Sequence, residues 1–305
     1  MKILHNPHGL GPCVLVLGTF DGVHRGHQAL LMRGGELAEA EGLPLYCCTF
    51  DPHPLAVLRR EAAPPLLTTL EERAERMADF GVEALCVIPF TPEIAAVPPE
   101  DFVRAMAGGY GPRHVICGYN FTFGCRGSGT GETLRQGEEA YGYSTHVVGE
   151  VLIGGEAVSS TRIRGLLAAG SIREVNHLLG GAYQLTGPVG DGKHLGRTMG
   201  FPTANVQVPP DKALPAFGVY TCFLEAEAEV YPAVVNIGRH PTLPEGGVTV
   251  EANALTGHPA LYGKTVRLSL LDFLRPERRF DSVEALQGQI QEDAARARAL
   301  FQQMR

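Results

Sequence analysis

The chain has 305 residues, more than one domain commonly uses, and at 44% hydrophobic and 19% charged it can build two cores. A net charge of −7 with no basic stripe argues against a nucleic-acid partner. The seven cysteines are scattered and form no Cys-x-x-Cys. No signal-like apolar region follows Met1, and no apolar run approaches the roughly 18 residues of a membrane span, so reduced thiols, a cytoplasmic location and no membrane contact are expected.

In chain order, the first half alternates short apolar runs with helical patterns. Strands are predicted at Cys13–Leu17, Leu45–Phe50, Ala84–Ile88, His114–Gly118 and Ser144–Val148. Helices are predicted near Gln28–Glu41, Thr69–Phe80 and Pro99–Met106. That alternation predicts an α/β unit, a parallel sheet with helices on both faces. Ligands of such sheets bind beyond the carboxyl ends of the strands. Three informative segments fall there: Gly18-Thr19-Phe20-Asp21-Gly22-Val23-His24-Arg25-Gly26-His27, Thr49–Pro54 and Gly118–Gly124.

The first of these runs from a strand into a helix. Its glycines keep side chains out of the turn, and a helix N-terminus suits a phosphate. A neutral imidazole adds a directional donor. A His-x-x-His pair can also begin a zinc site, but no Cys or His stands at a suitable spacing to complete one. The strand–turn–helix with His-x-Gly-His resembles the signature of nucleotidylyltransferases, which attack the α-phosphate of a nucleoside triphosphate.

Ser160 reads as a helix N-cap, Gly170 as a stop, and Ile172–Leu179 as a second short helix ending at Gly180-Gly181. The domain boundary is placed there, giving domains 1–181 and 182–305. Beyond it, strand-like runs at Tyr183–Val189, Gly218–Ala226, Ala233–Ile237, Val248–Leu255 and Thr265–Leu271 are separated by Gly and Pro turns. They predict a small antiparallel β-barrel. A terminal helix would place Val283, Leu286, Ile290, Ala294, Ala297, Leu300 and Phe301 on one face.

Within that second half, Thr203 and Asn205 stand two apart in an extended segment, so their oxygens point the same way. Both are hard ligands of the kind Mg²⁺ accepts beside phosphates. Pro-Thr-x-Asn alone reads as an ordinary turn into a strand. Gly187, Gly190, Gly192 and Gly196 upstream, which can form a phosphate-facing flap, shift the reading. Gly187–Lys193 is not a P-loop, because His194 stands where Ser or Thr must hold the metal; Gly263-Lys264-Thr265 fails because His258 replaces the first glycine. The Gly127–Gly131 loop lacks the dinucleotide spacing. Glu251 shares a strand face with Thr249, where a carboxylate can take a hydroxyl proton or simply be solvated.

Taken together, these motifs resemble the bacterial bifunctional riboflavin kinase/FMN adenylyltransferase family. The matching segments also include Ser159–Arg164, Val235-Asn236-Ile237-Gly238, Leu261-Tyr262-Gly263, Leu274-Arg275-Pro276-Glu277 and Gln289–Arg298. The resemblance implies a Rossmann-like nucleotidylyltransferase domain followed by a kinase barrel, with ATP, riboflavin and FMN as substrates. It implies an adenylyltransferase site of Gly18, Phe20, Asp21, Gly22, His24 and His27, with Asn120 near the triphosphate and Ser160, Thr161 and Arg164 as a second phosphate grip. In the kinase it implies Gly192, Gly196 and Arg197 at the nucleotide, Thr203 and Asn205 on Mg²⁺, Glu251 as general base and Arg275 in a flavin-adjacent loop. The segments Ala252–His258 and Arg239-His240-Pro241-Thr242 depart from the family's usual pattern. The expected assembly is a monomer or a transient homo-oligomer. A kinase with a silent first domain and a flavin-binding regulator are the rivals, and the intact His24, His27, Thr203, Asn205 and Glu251 speak against both. A class I aminoacyl-tRNA synthetase is disfavoured because no Lys-Met-Ser-Lys-Ser-like loop is present.

Overall fold

Cys13–Leu17 forms a strand, β2, that is buried along its whole length. Successive side chains face opposite layers. Val14 and Val16 pack with Leu30, Leu31, Ala74 and Met77, whereas Cys13, Leu15 and Leu17 pack with Phe102, Val103, Met106 and Tyr110. A strand covered on both faces has no polar side, which is why its apolar run is continuous.

The computed structural model describes residues 1–190, 203–239, 247–257 and 259–303, and divides into units Met1–Ser160 and Thr161–Arg305. In the first, β1 (Lys2–His5), β2, β3 (Leu45–Asp51), β4 (Ala84–Pro89), β5 (Pro112–Gly118) and β6 (Ser144–Val148) form a parallel sheet ordered β1-β4-β3-β2-β5-β6. One face carries α1 (Arg25–Glu41) and α3 (Leu70–Ala78); the other carries α5 (Pro99–Tyr110) and α6 (Gly131–Gln136). From β2 the chain moves to β3 on one side and later to β5 on the other. The carboxyl ends of β2 and β5 therefore flank the switch point where such sheets bind ligands.

Several short elements escape the sequence pattern. β1 is a four-residue edge strand with exposed ends. The helices α2 (Pro54–Leu58), α4 (Pro92–Ala95) and α7 (Glu138–Tyr141) are too short to show a period. Local capping sets two of them: the His53 side chain accepts from the Leu55 N–H, and Thr91 accepts from the Ile94 N–H. A two-stranded hairpin, β7 (Leu152–Ile153) and β8 (Glu156–Ala157), precedes the second unit.

There, α8 (Ser160–Ala168) and α9 (Ile172–Leu179) lead into the barrel. Gly170 (φ +77°) and Gly180 (φ +69°) end them in the left-handed conformation that glycine adopts cheaply. Both helices fold against the barrel. The Asn176 side chain donates to the Leu270 carbonyl and accepts from the Tyr183 N–H, each at 2.8 Å. The Ala216 N–H donates to the Leu167 carbonyl at 3.0 Å.

The barrel closes in the order β10-β13-β12-β11-β14-β9, all antiparallel. Its strands are β9 (Tyr183–Gly190), β10 (Ala204–Val206), β11 (Gly218–Ala226), β12 (Glu229–Arg239), β13 (Val248–Ala254) and β14 (Thr265–Pro276). Leu185, Ala204, Cys222, Val235, Ala252 and Leu268 are among the buried residues. Outside it lies α10 (Val283–Gln303), whose Ala294 and Ala297 pack with Val219, Leu255 and Leu274. The terminal helix thus has the expected face at its C-terminal end, but Val283 is exposed and the polar Gln289 and Asp293 are buried. Arg275 is the reason: its Nε donates to both Asp293 oxygens at 3.1 and 2.9 Å, and Gln289 donates to the same carboxylate at 2.9 Å. Among the described residues, no helix is long and apolar enough to cross a membrane.

Gly187 and Gly190 belong to the wall of this barrel as part of β9, not to a flap. A Cβ on Gly187 would stand 2.1 Å from the Gln207 carbonyl oxygen. Gly187→Ala should therefore destabilise the barrel by about 1–3 kcal/mol, the usual result of overpacking. Thermal unfolding checks this; an unchanged midpoint would show that the wall yields without cost.

Candidate active sites

Residues 18–24 turn the chain from β2 into α1, and they do so under strain. Phe20 (φ +53°), Gly22 (φ +89°) and Val23 (φ +43°) all occupy the left-handed region. For a β-branched valine that is a genuine outlier, at a cost of about 1–3 kcal/mol. It persists because Phe20 and Val23 are sealed into the core, 0% and 1% exposed. The next residue, His24, is the N-cap of α1. Its Nδ1 accepts the His27 N–H at 3.3 Å, so in the neutral ring the proton sits on Nε2.

The two imidazoles stack, with centroids 3.7 Å apart and planes 15° from parallel, and the edge of Phe20 packs on His27. Gly26 makes room for this, since a Cβ there would stand 3.1 Å from the His24 ring. Burial, then His24, then Arg73, hold His27 well below the usual imidazole range, so this ring is neutral at pH 7. Its Nδ1 is buried without a hydrogen-bond partner among the described residues.

The rest of the motif shapes the turn. Asp21 is 1% exposed, and its carboxylate accepts from the Leu67 N–H (3.1 Å), the Thr68 N–H (3.0 Å) and the Thr68 hydroxyl (3.2 Å). The Gly22 N–H donates to the Thr68 hydroxyl oxygen at 2.8 Å, and the Gly18 N–H to the Cys48 carbonyl at 3.2 Å. Gly18, Phe20, Asp21 and Gly22 thus commit these groups to the protein itself, while the histidines crown the turn.

The sequence reading missed Arg73. Its guanidinium is buried, lies 4.0 Å from Asp21 and donates to the Thr49 hydroxyl at 3.3 Å; that hydroxyl donates to the Thr19 carbonyl at 3.1 Å. Burial lowers its pKa and Asp21 opposes the shift. The signal was available: Arg73 stands with Leu70, Ala74 and Met77 at helical spacing, on a face where the pattern calls for an apolar residue.

Other residues of the sequence motif fall as follows. Asn120 is exposed just after β5, whose carboxyl end adjoins that of β2. Ser160 is the first residue of α8 rather than a cap before it, and its hydroxyl donates to the Asp21 carbonyl at 2.8 Å. In the second unit, Thr161 is exposed and Arg164 half-buried, both on α8. Gly192, Gly196 and Arg197 lie outside the described residues, as do His194, His240-Pro241-Thr242 and His258.

In the barrel, strand register assembles a second polar group. Asn205 stands opposite Glu251, Glu251 opposite Asn236, Asn236 opposite Val219, and Val219 opposite Arg275. Directly opposed residues share a face of the sheet. The adjacent row, Ala204, Ala252, Val235 and Tyr220, is buried, so the Asn205–Glu251–Asn236 row faces outward. All three of its polar residues are half-buried. Further along the row, Val219 is packed with Ala294 and Ala297 of α10. Thr203 enters β10 two residues before Asn205.

The Thr203 hydroxyl and Asn205 carbonyl are hard neutral oxygens, a donor pair that fits Mg²⁺ when phosphate oxygens complete its shell. Among the described residues no group of three or more His, Cys, Asp or Glu could hold a metal ion without such help. Arg275 is committed elsewhere: Nε and Nη2 bind Asp293 and Nη1 donates to the Pro276 carbonyl, so its donors brace α10.

Comparison with known proteins extends this picture. A family model described as FAD synthetase matches residues 7–162, and one described as riboflavin kinase matches residues 179–301. The bifunctional riboflavin kinase/FMN adenylyltransferase of Bacillus subtilis is 34% identical over 100% of both chains. That of Listeria monocytogenes is 34% identical over 94% of this chain and 92% of its own. That of Pseudomonas fluorescens is 35% identical over 98% of each. A crystal structure from Streptococcus pneumoniae, described as a macrolide-efflux protein, is similar with a TM-score of 0.88 at 28% identity, over 98% of this chain and 99% of that one. This chain belongs to the bifunctional riboflavin kinase/FMN adenylyltransferase family.

Proposed function

We propose that this protein makes FAD from riboflavin in two ATP-dependent steps, adenylyl transfer in residues 1–181 and phosphorylation in residues 182–305. The observation that carries the reading is that each unit holds its own polar constellation: the stacked His24–His27 pair at the switch point of the sheet, and Glu251 between two asparagines on the barrel wall.

In the kinase step, the 5′-hydroxyl of riboflavin attacks the γ-phosphate of ATP. A new O–P bond forms, the bond to the β-phosphate oxygen breaks, ADP leaves and Glu251 takes the hydroxyl proton. Asn205 and Asn236, opposite Glu251 on either side, can hold its carboxylate with amide donors. Thr203 and Asn205 would hold Mg²⁺, which when bound neutralises phosphate charge.

In the adenylyl step, the FMN phosphate attacks the α-phosphate of a second ATP and pyrophosphate leaves. The nucleophile is already an anion, so no protein base is needed. The imidazoles of His24 and His27 can donate N–H groups to the phosphate oxygens at the N-terminus of α1. Asn120 and Ser160 belong to the same edge, Ser160 by fixing the turn.

A cytoplasmic enzyme acting as a monomer or transient homo-oligomer, without nucleic acid or membrane, suits these small substrates. The cysteines agree: all are free, and burial pushes the Cys13 and Cys48 thiols up to about 12, which keeps them protonated and unreactive.

The two sites should respond separately. Glu251→Gln should lower riboflavin-to-FMN turnover by about 10²–10⁴ while leaving FMN-to-FAD unchanged. His27→Ala should let FMN accumulate and lower FAD formation by about 10²–10³. Chromatography of both products over time distinguishes these outcomes, and a His27→Ala enzyme with the original FAD rate would remove the adenylyl assignment. Thr203→Ala and Asn205→Ala should each weaken the kinase, with partial recovery at high Mg²⁺ by mass action. Kinase kinetics indifferent to both changes would exclude the metal role.

A further inference from the structure

The buried face of α3 holds a cation that the two-step chemistry above does not use. We infer that Arg73 positions the His24–His27 pair for adenylyl transfer, acting through Asp21 and Thr49 without touching substrate. The inference rests on the assignment of that reaction to this turn.

Three observations support it. First, Arg73 is 5% exposed on a helix that also buries Ala74 and Met77, and burying a guanidinium is costly unless it is paired. Second, its contacts lead straight to the strained turn. It lies 4.0 Å from Asp21, the carboxylate that ties the turn to Leu67 and Thr68, and it donates to Thr49, which holds the Thr19 carbonyl. One side chain thus braces the turn at Thr19 and at Asp21, on either side of the left-handed Phe20. Third, its Nε is buried without a partner among the described residues, so its hydrogen bonding alone does not account for a guanidinium here.

The placement has an electrostatic consequence. His27 is faced by His24 from its own helix cap and by Arg73 from α3, and Asp21 from the turn faces Arg73. A fixed positive charge on Arg73 opposes a second one on His27. Removing it takes away one of the influences that hold the imidazole neutral, so His27 should titrate at higher pH in its absence.

The test uses the full chain with labelled histidine, reading the His27 titration by NMR and both half-reactions by product analysis. Arg73→Lys, which keeps the charge, should retain FMN-to-FAD kcat within about threefold, whereas Arg73→Gln should lower it about 10- to 100-fold, as misplaced reacting groups do. Arg73→Gln should also raise the pH at which His27 protonates, and should leave riboflavin-to-FMN turnover unchanged. The inference is overturned if Arg73→Gln matches the original enzyme, or if Arg73→Lys falls as far as Arg73→Gln.

Should Arg73→Gln fail to fold, Thr49→Val decides, because it removes the acceptor and leaves the cation. A several-fold lower FMN-to-FAD kcat supports the inference, and an unchanged one overturns it. His27→Ala separates the two claims. If it loses FAD formation while the Arg73 variants do not, the positioning role fails and the site stands; if it keeps FAD formation, the site itself fails.

Discussion

One buried carboxylate underlies the first site. Asp21 is almost fully enclosed, yet it remains satisfied by two backbone N–H groups and a hydroxyl, with a guanidinium 4.0 Å away. Burying an ion without such partners would cost several kcal/mol. Here the same contacts hold a turn in which Phe20, Gly22 and Val23 have positive φ. The strain is confined to the segment that presents two imidazoles at the start of a helix, as expected when backbone distortion serves a site and its surroundings over-determine it.

The barrel solves the same problem by different means. No strained turn positions Glu251; pairing across three strands does. Because opposed residues on neighbouring strands share a face, the register that buries Ala204, Ala252 and Val235 must place Asn205, Glu251 and Asn236 together on the other side. The α10 helix then covers the Val219 end of that row, held by the partly buried Arg275–Asp293 pair and by Gln289. A sheet register and a partly buried ion pair thus do for the barrel's polar row what Asp21 does for the histidines.

Much of this was legible in the sequence because it rests on local pattern. The apolar runs of β2, β3, β4, β5 and β6 marked a two-faced parallel sheet, Gly170 and Gly180 marked helix ends, and His-x-Gly-His marked a strand-to-helix turn. Edge and short elements were hidden: β1 has only four residues, and α2 and α4 depend on single capping side chains. The contacts of the candidate site's charged residues were not legible. Asp21 and Arg275 are charged residues in motif positions, yet their charges turn inward to Thr68 and Asp293, which long-range packing alone decides. Arg73 was visible only as a misfit in an apolar stripe. The Asn236–Glu251 adjacency depends on register between β12 and β13, which composition does not encode.

Two separate sites in one chain, each carrying one half-reaction, are the central claim. Mixing Glu251→Gln protein with His27→Ala protein tests it most directly, with riboflavin, ATP and Mg²⁺ supplied and FAD measured. The account predicts little FAD from either variant alone and steady FAD production from the mixture, because each supplies the half-reaction that the other lacks. A mixture that makes no more FAD than its components, although each retains its own half-reaction, would contradict it.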